Sequence, residues 1–146
     1  MRVDFYQLSR DPAEAALPLI ARATLGAGER LLVVSGDPAQ LDRIGQAMWE
    51  RLPESFLAHG RAGEGHEDRQ PILLGETVEP ANGARYLAIA DGVWRERDPA
   101  YARTFLMFDD LTIAQARLCW RELGTREGVE RHFWKQDGGG RWVEGP

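Results

Sequence analysis

Four groups of residues in this chain have the types and spacing to do chemistry. His59, Glu64 and His66 are metal-ligand types crowded into one segment. Zinc sites draw at least three ligands from fixed elements. Here Gly60, Gly63 and Gly65 separate the ligands, so the spacing speaks against a metal. Ser35-Gly36-Asp37 and Asp91-Gly92 each follow an apolar run. In an α/β protein such positions can hold a nucleotide or a small substrate. A helix cap and a tight turn account for them as well. Arg117 and Arg121 stand four positions apart with Trp120 beside them. On a helix the two guanidinium groups share a face. Two Arg beside an aromatic suit a short acidic peptide ending in an apolar residue. A solvated basic stripe favoured by the helix macrodipole fits the same residues. Last, Trp49 closes an apolar helical pattern, and Phe56 and His59 follow in a Pro- and Gly-rich segment. A loop with such groups must bury them or present them to a partner.

The usual catalytic signatures are missing. No Gly-x-x-x-x-Gly-Lys-Ser/Thr occurs, and no Gly-x-Gly-x-x-Gly opens a helix after the first strand. No Ser-His-Asp or Cys-His arrangement stands out. Cys119 is the single cysteine, which excludes an internal disulfide and a Cys-cluster metal site. No cofactor is expected. If the chain were nonetheless a small α/β enzyme, Asp37, Asp91 and His59 would be the candidates. A third reading is a free-standing interaction domain in which Trp49 and Phe56 form a dimer seam.

The elements that must position these groups alternate along the chain. Val3 to Leu8 reads as a strand. A helix follows from Pro12 towards Leu25, then a strand from Arg30 to Ser35 whose Leu31-Leu32-Val33-Val34 is continuously apolar, as in a sheet buried on both faces. A second helix runs from Pro38 to about Arg51, with Leu41, Ile44, Ala47 and Met48 on its inner stripe. Leu52 to Pro71 reads as a long loop. Short strands are predicted at Ile72–Leu74, Tyr86–Ala90 and Thr104–Phe108. The Asp-Pro pairs at Asp11, Asp37 and Asp98 each signal a helix start, with Asp as N-cap and Pro at the first helical position. A short helix is therefore expected after Pro99. The last long helix runs from Asp110 or Thr112 to Leu123, with Gly124 as its C′ cap. In it, Leu118 and Cys119 are expected to point inward. Val129–Gln136 is a last strand, turning through Asp137-Gly138-Gly139-Gly140 into Arg141-Trp142-Val143. The pattern implies one three-layer α/β/α domain over residues 1–146 with a mostly parallel sheet.

Composition narrows the partners. The chain has 146 residues, 43% hydrophobic, enough for a core. No run approaches the roughly 18 apolar residues of a membrane span. The N-terminus enters a strand at once, so a cytoplasmic protein without a signal peptide is expected. The net charge of −5 argues against gripping nucleic acid by its phosphates. All 18 cations are Arg except Lys135, and Arg is the better cation for bidentate carboxylate capture.

The order Trp49, Pro53, Ser55-Phe56, His59-Gly60, then Ala62-Gly63-Glu64-Gly65 resembles the chi subunit family of the bacterial DNA polymerase III holoenzyme. Asp4-Phe5-Tyr6 is similar to that family's first strand. Ala116-Arg117 with Trp120-Arg121 resembles its C-terminal helix, and Phe133-Trp134-Lys135-Gln136-Asp137 through Gly140-Arg141-Trp142 its ending. The likeness covers nearly the whole chain in order, with Thr77 to Tyr101 matched loosely. The resemblance implies a non-catalytic adaptor of the clamp-loader assembly, a monomer when isolated, with no direct contact to DNA. One surface would hold the psi subunit, or another protein at the same place. The family Trp and Phe of that surface fall on Trp49 and Phe56, with His59 beside them. Another surface would take the acidic C-terminal tail of single-stranded-DNA-binding protein, which ends in a Phe carboxylate. Its residues fall on Arg117, Trp120 and Arg121, with Leu106 as an apolar wall. The chain departs from the family in three places: the Pro after the Trp is displaced to Pro53, Ala58 replaces a Pro, and Trp120 replaces a Tyr. The first two changes lie at the psi-facing loop. The third keeps an aromatic wall.

Overall fold

The computed structural model describes residues 1–145. Its elements follow the alternation in the sequence: β1 (Arg2–Gln7), α1 (Ala13–Gly26), β2 (Leu31–Val34), α2 (Pro38–Glu50), β3 (His59–Arg61), β4 (Ile72–Gly75), β5 (Tyr86–Ile89), β6 (Arg103–Phe108), α3 (Ile113–Leu123), β7 (Glu130–Gln136) and β8 (Trp142–Glu144). The eight strands form one sheet in the order β3-β4-β2-β5-β6-β1-β7-β8. Every pairing is parallel except the β7–β8 hairpin. The expected three-layer α/β/α architecture is thus present. Helices α1 and α2 pack one face through Leu17, Ile20, Leu41, Ile44 and Met48. Helix α3 packs the other through Ala116, Cys119 and Leu123, over Val3, Phe5 and Leu106. All four residues of β2 are buried: Leu31 and Val33 lie in the cluster under α1 and α2, and Leu32 and Val34 in the cluster of the opposite face with Ala84, Leu87 and Tyr101.

The Asp-Pro pairs have three different fates. Asp37 caps α2 as expected: its carboxylate accepts from the Ala39 amide at 3.0 Å, with Pro38 next in line. Asp37→Ala should lower stability by about 1 kcal/mol, read as a shift in the urea midpoint. Asp11 does not cap α1. Pro12 occupies the N-cap position, and the Asp11 carboxylate instead accepts from the Gln136 side chain at 2.7 Å. No helix follows Asp98-Pro99, whose peptide bond is cis. There the buried Tyr101 donates to the Val78 carbonyl, and the Ala102 amide to Arg85, which leads the chain directly into β6.

The segment after α2 is more ordered than a loop. It carries a 3-10 turn at Pro53–Ser55 and the edge strand β3, which pairs with β4. Gly60 sits in β3 because a Cβ there would lie 2.8 Å from the Gln70 side chain. Near the other edge, the Asp4 carboxylate is fully buried. Arg2, the Arg103 Nε at 2.8 Å and the Trp134 indole at 2.9 Å all donate to it. Burial alone would raise its pKa, but these donors outweigh burial and hold it below the ordinary carboxylate value. A lowered native pKa stabilises the fold above the unfolded value, and this stability is lost as pH falls. Melting temperature should therefore drop steeply below about pH 4. In Asp4→Asn that drop should flatten; an unchanged slope would contradict this role.

Candidate functional site

Two outward-facing patches carry the candidate residues. The first lies on α3. Ala116, Cys119 and Leu123 face the core at helical spacing, which turns Arg117, Trp120 and Arg121 to the flank and surface. These three border a groove of about 650 Å3. The sheet supplies the floor: Phe5 and Gln7 of β1, Phe108 of β6 and Phe133 of β7. Register explains this set, since Phe5 pairs beside Phe133 and Gln7 beside Phe108. Trp120 stands edge-on to Phe5, with ring centroids 5.1 Å apart. Neither Arg117 nor Arg121 has an ion-pair partner among the described residues. The groove thus joins an aromatic floor to two uncommitted cations, which is the chemistry of an acidic chain with an apolar end.

Two expectations about this patch need correction. Leu106 is fully buried in the core and does not reach the groove. It points to the correct face, but Phe108, two residues nearer the strand end, takes the lining position. Leu118 does not point inward; it is 54% exposed, because the helical turn carries it away from the 116–119–123 stripe. Cys119 is buried as expected, and burial pushes its thiol pKa up to about 12. A thiol so protonated is a poor nucleophile. Ile113 lines the groove from the first turn of α3, and Phe5, Gln7, Phe108 and Phe133 line it from three strands. The sequence signal of the strand residues is period-two alternation, which marks a face but not which strands lie together.

The second patch lies at the opposite edge of the sheet. Trp49 is 59% exposed and Phe56 81% exposed, so neither plugs the body. The buried neighbour Leu57 anchors the loop instead. Phe56 adopts a left-handed backbone conformation, φ 48° and ψ 57°, which is strained for a bulky side chain. Such strain concentrates at functional sites. His59 is brought against Trp49, with ring centroids 4.6 Å apart. Its Nδ1 donates to the Leu57 carbonyl at 2.9 Å, and its far edge lies against Gly45 of α2. The imidazole is a fixed support under the indole.

Asp37 and Asp91 line one pocket at the strand ends, but His59 is not brought to them. His59 begins β3, level with Tyr86, while Asp91 follows the far end of β5. Both Asp91 oxygens are occupied: Arg95 pairs with them at 2.8 Å each, and the Gly36 and Val93 amides donate as well. Burial would raise the Asp91 pKa, yet these donors hold it low. Asp37 is used as a cap. Among the described residues no group of three or more His, Cys, Asp or Glu side chains could hold a metal, and no helix is long and apolar enough to cross a membrane.

The fold defines a three-layer α/β protein with two surface patches of large side chains, one at Trp49 and Phe56 and one at the α3 groove. The chain belongs to the DNA polymerase III chi subunit family: the family described as "DNA polymerase III chi subunit, HolC" matches residues 1–130. It is also similar to DNA polymerase III subunit chi of Escherichia coli strain K12, at 31% identity over 71 residues. That match spans 49% of this chain and 48% of the relative, so the two align over about half of their lengths.

Proposed function

We propose that this protein is a non-catalytic adaptor in DNA replication, joining the clamp-loader assembly to single-stranded-DNA-binding protein. The α3 groove takes the acidic C-terminal tail of the latter. Its terminal Phe ring seats against the aromatic floor of Phe5, Phe108 and Phe133 with Trp120 as its wall, while Arg117 and Arg121 pair with the carboxylates. The Trp49/Phe56 patch holds a psi-like subunit or another protein in its place.

The observation that best supports this reading is the separation of the patches. Trp49 rides on α2 and Phe56 leads into β3; the groove is built on β1, β6, β7 and α3. Four strands lie between β3 and β1. At about 4.8 Å per strand spacing, that is roughly 24 Å across the sheet. The two helices also pack opposite faces. Two partners can therefore bind at once without competing, which is what an adaptor needs. The test is sedimentation of the chain alone, with the tail peptide, and with peptide and psi-like partner together. The reading expects a monomer that gains both. Mutual exclusion of the two partners would overturn it.

A further inference from the structure

The Trp120 ring is held from behind by a residue that does not line the groove. Arg131 of β7 lays its guanidinium over the indole, with Cζ 4.3 Å from the ring centroid. Its Nη1 also donates to the backbone carbonyl of Trp120 at 2.7 Å. One side chain thus fixes both the ring and the helix turn that carries it. Cation–π stacking and a charge-assisted hydrogen bond act on the same residue.

Gly124 makes room for this clamp. It ends α3 with φ −66° and ψ −18°, a conformation open to any residue, so no backbone freedom is needed there. Space is the requirement instead: a Cβ at 124 would lie 2.8 Å from both Cζ and Nη1 of Arg131. The guanidinium passes where that Cβ would stand.

We propose that Arg131 is a positioning residue of the groove, clamping Trp120 in the orientation that walls it. The inference rests on the reading of the groove as a peptide site. An aromatic fixed before binding costs the complex less ordering entropy than one fixed on contact. Arg131 is absent from the groove lining, so it acts through Trp120.

The test uses the full chain with fluorotryptophan, the Trp120 signal assigned through Trp120→Phe. Arg131→Ala and Gly124→Ala should each broaden or split that 19F resonance. Both should weaken binding of the acidic Phe-ended peptide by about fivefold to tenfold. Gly124→Ala is the sharper variant, since it displaces the clamp yet keeps the charge. Arg131→Lys should restore little of the affinity, because an ammonium lacks the planar stack. An unmoved Trp120 resonance in Arg131→Ala overturns the proposal, as does full rescue by Lys, which would make the effect one of charge alone. If the wild type binds no peptide, the peptide reading fails, and the ring resonance still decides whether Arg131 clamps Trp120. If Arg131→Ala does not fold, Gly124→Ala and Arg131→Lys decide the same question.

Discussion

A chain carrying Arg117→Ala and Arg121→Ala together should bind the acidic, Phe-ended peptide about fiftyfold more weakly, while melting at the wild-type temperature. The two halves of this expectation have one cause. Both guanidinium groups lie exposed on α3 with no ion-pair partner in the described residues, so folding does not use them. A peptide carboxylate would use them fully. Hydrogen bonds to charged groups contribute roughly 1.5–3 kcal/mol each. Solvent screening at an open groove reduces that, leaving about 2–3 kcal/mol for the pair. Calorimetric titration of the double variant, with its thermal melt, reads both quantities. Unaltered affinity would remove α3 as the tail site. A lowered melting temperature would mean that the charges serve the fold instead.

The second large effect belongs to the opposite edge. Trp49→Ala with Phe56→Ser should abolish capture of a psi-like partner, with a loss of at least about a hundredfold, and leave tail-peptide affinity unchanged. Exposed aromatics of this size are the residues that dominate interfaces, at roughly 2–4 kcal/mol each on truncation. Neither ring is buried against the body, so stability should hold; Phe56→Ser also removes a bulky group from a left-handed position. His59→Ala should give a smaller loss, since its ring supports the indole from beneath. Biosensor capture of the partner by wild type and double variant measures the effect. Retained capture would place the partner elsewhere.

How much of this was legible in the sequence depended on the range of the signal. The alternation of strands and helices, the buried run at β2 and the cap at Asp37 are local, and the structure follows them. The sheet edge was not legible. His59-Gly60-Arg61 has no alternation or β-branched residue, and its strand exists only because β4 accepts it. Asp98-Pro99 has the local chemistry of a helix start, but Tyr101 and the Ala102 amide tie the chain down first. Gly124 reads as a C′ glycine by its place, yet its backbone is right-handed helical and its role is space for Arg131. The groove was half legible. Arg117, Trp120 and Arg121 lie within one helix, where spacing fixes the face. Its floor comes from β1, β6 and β7, which are far apart in the chain and adjacent only through the strand order. For that reason Leu106 was expected where Phe108 stands.

The most direct test is a fluorescence-anisotropy titration of the wild-type chain with a labelled acidic peptide ending in Phe, beside the same peptide lacking that residue. Binding in the micromolar range is predicted, on the order of 8 kcal/mol. It should weaken as salt is raised, because the cations are solvent-exposed. It should be lost with the terminal Phe, whose ring the groove would enclose. No binding at about 100 micromolar protein, or equal binding of both peptides, would contradict the adaptor account.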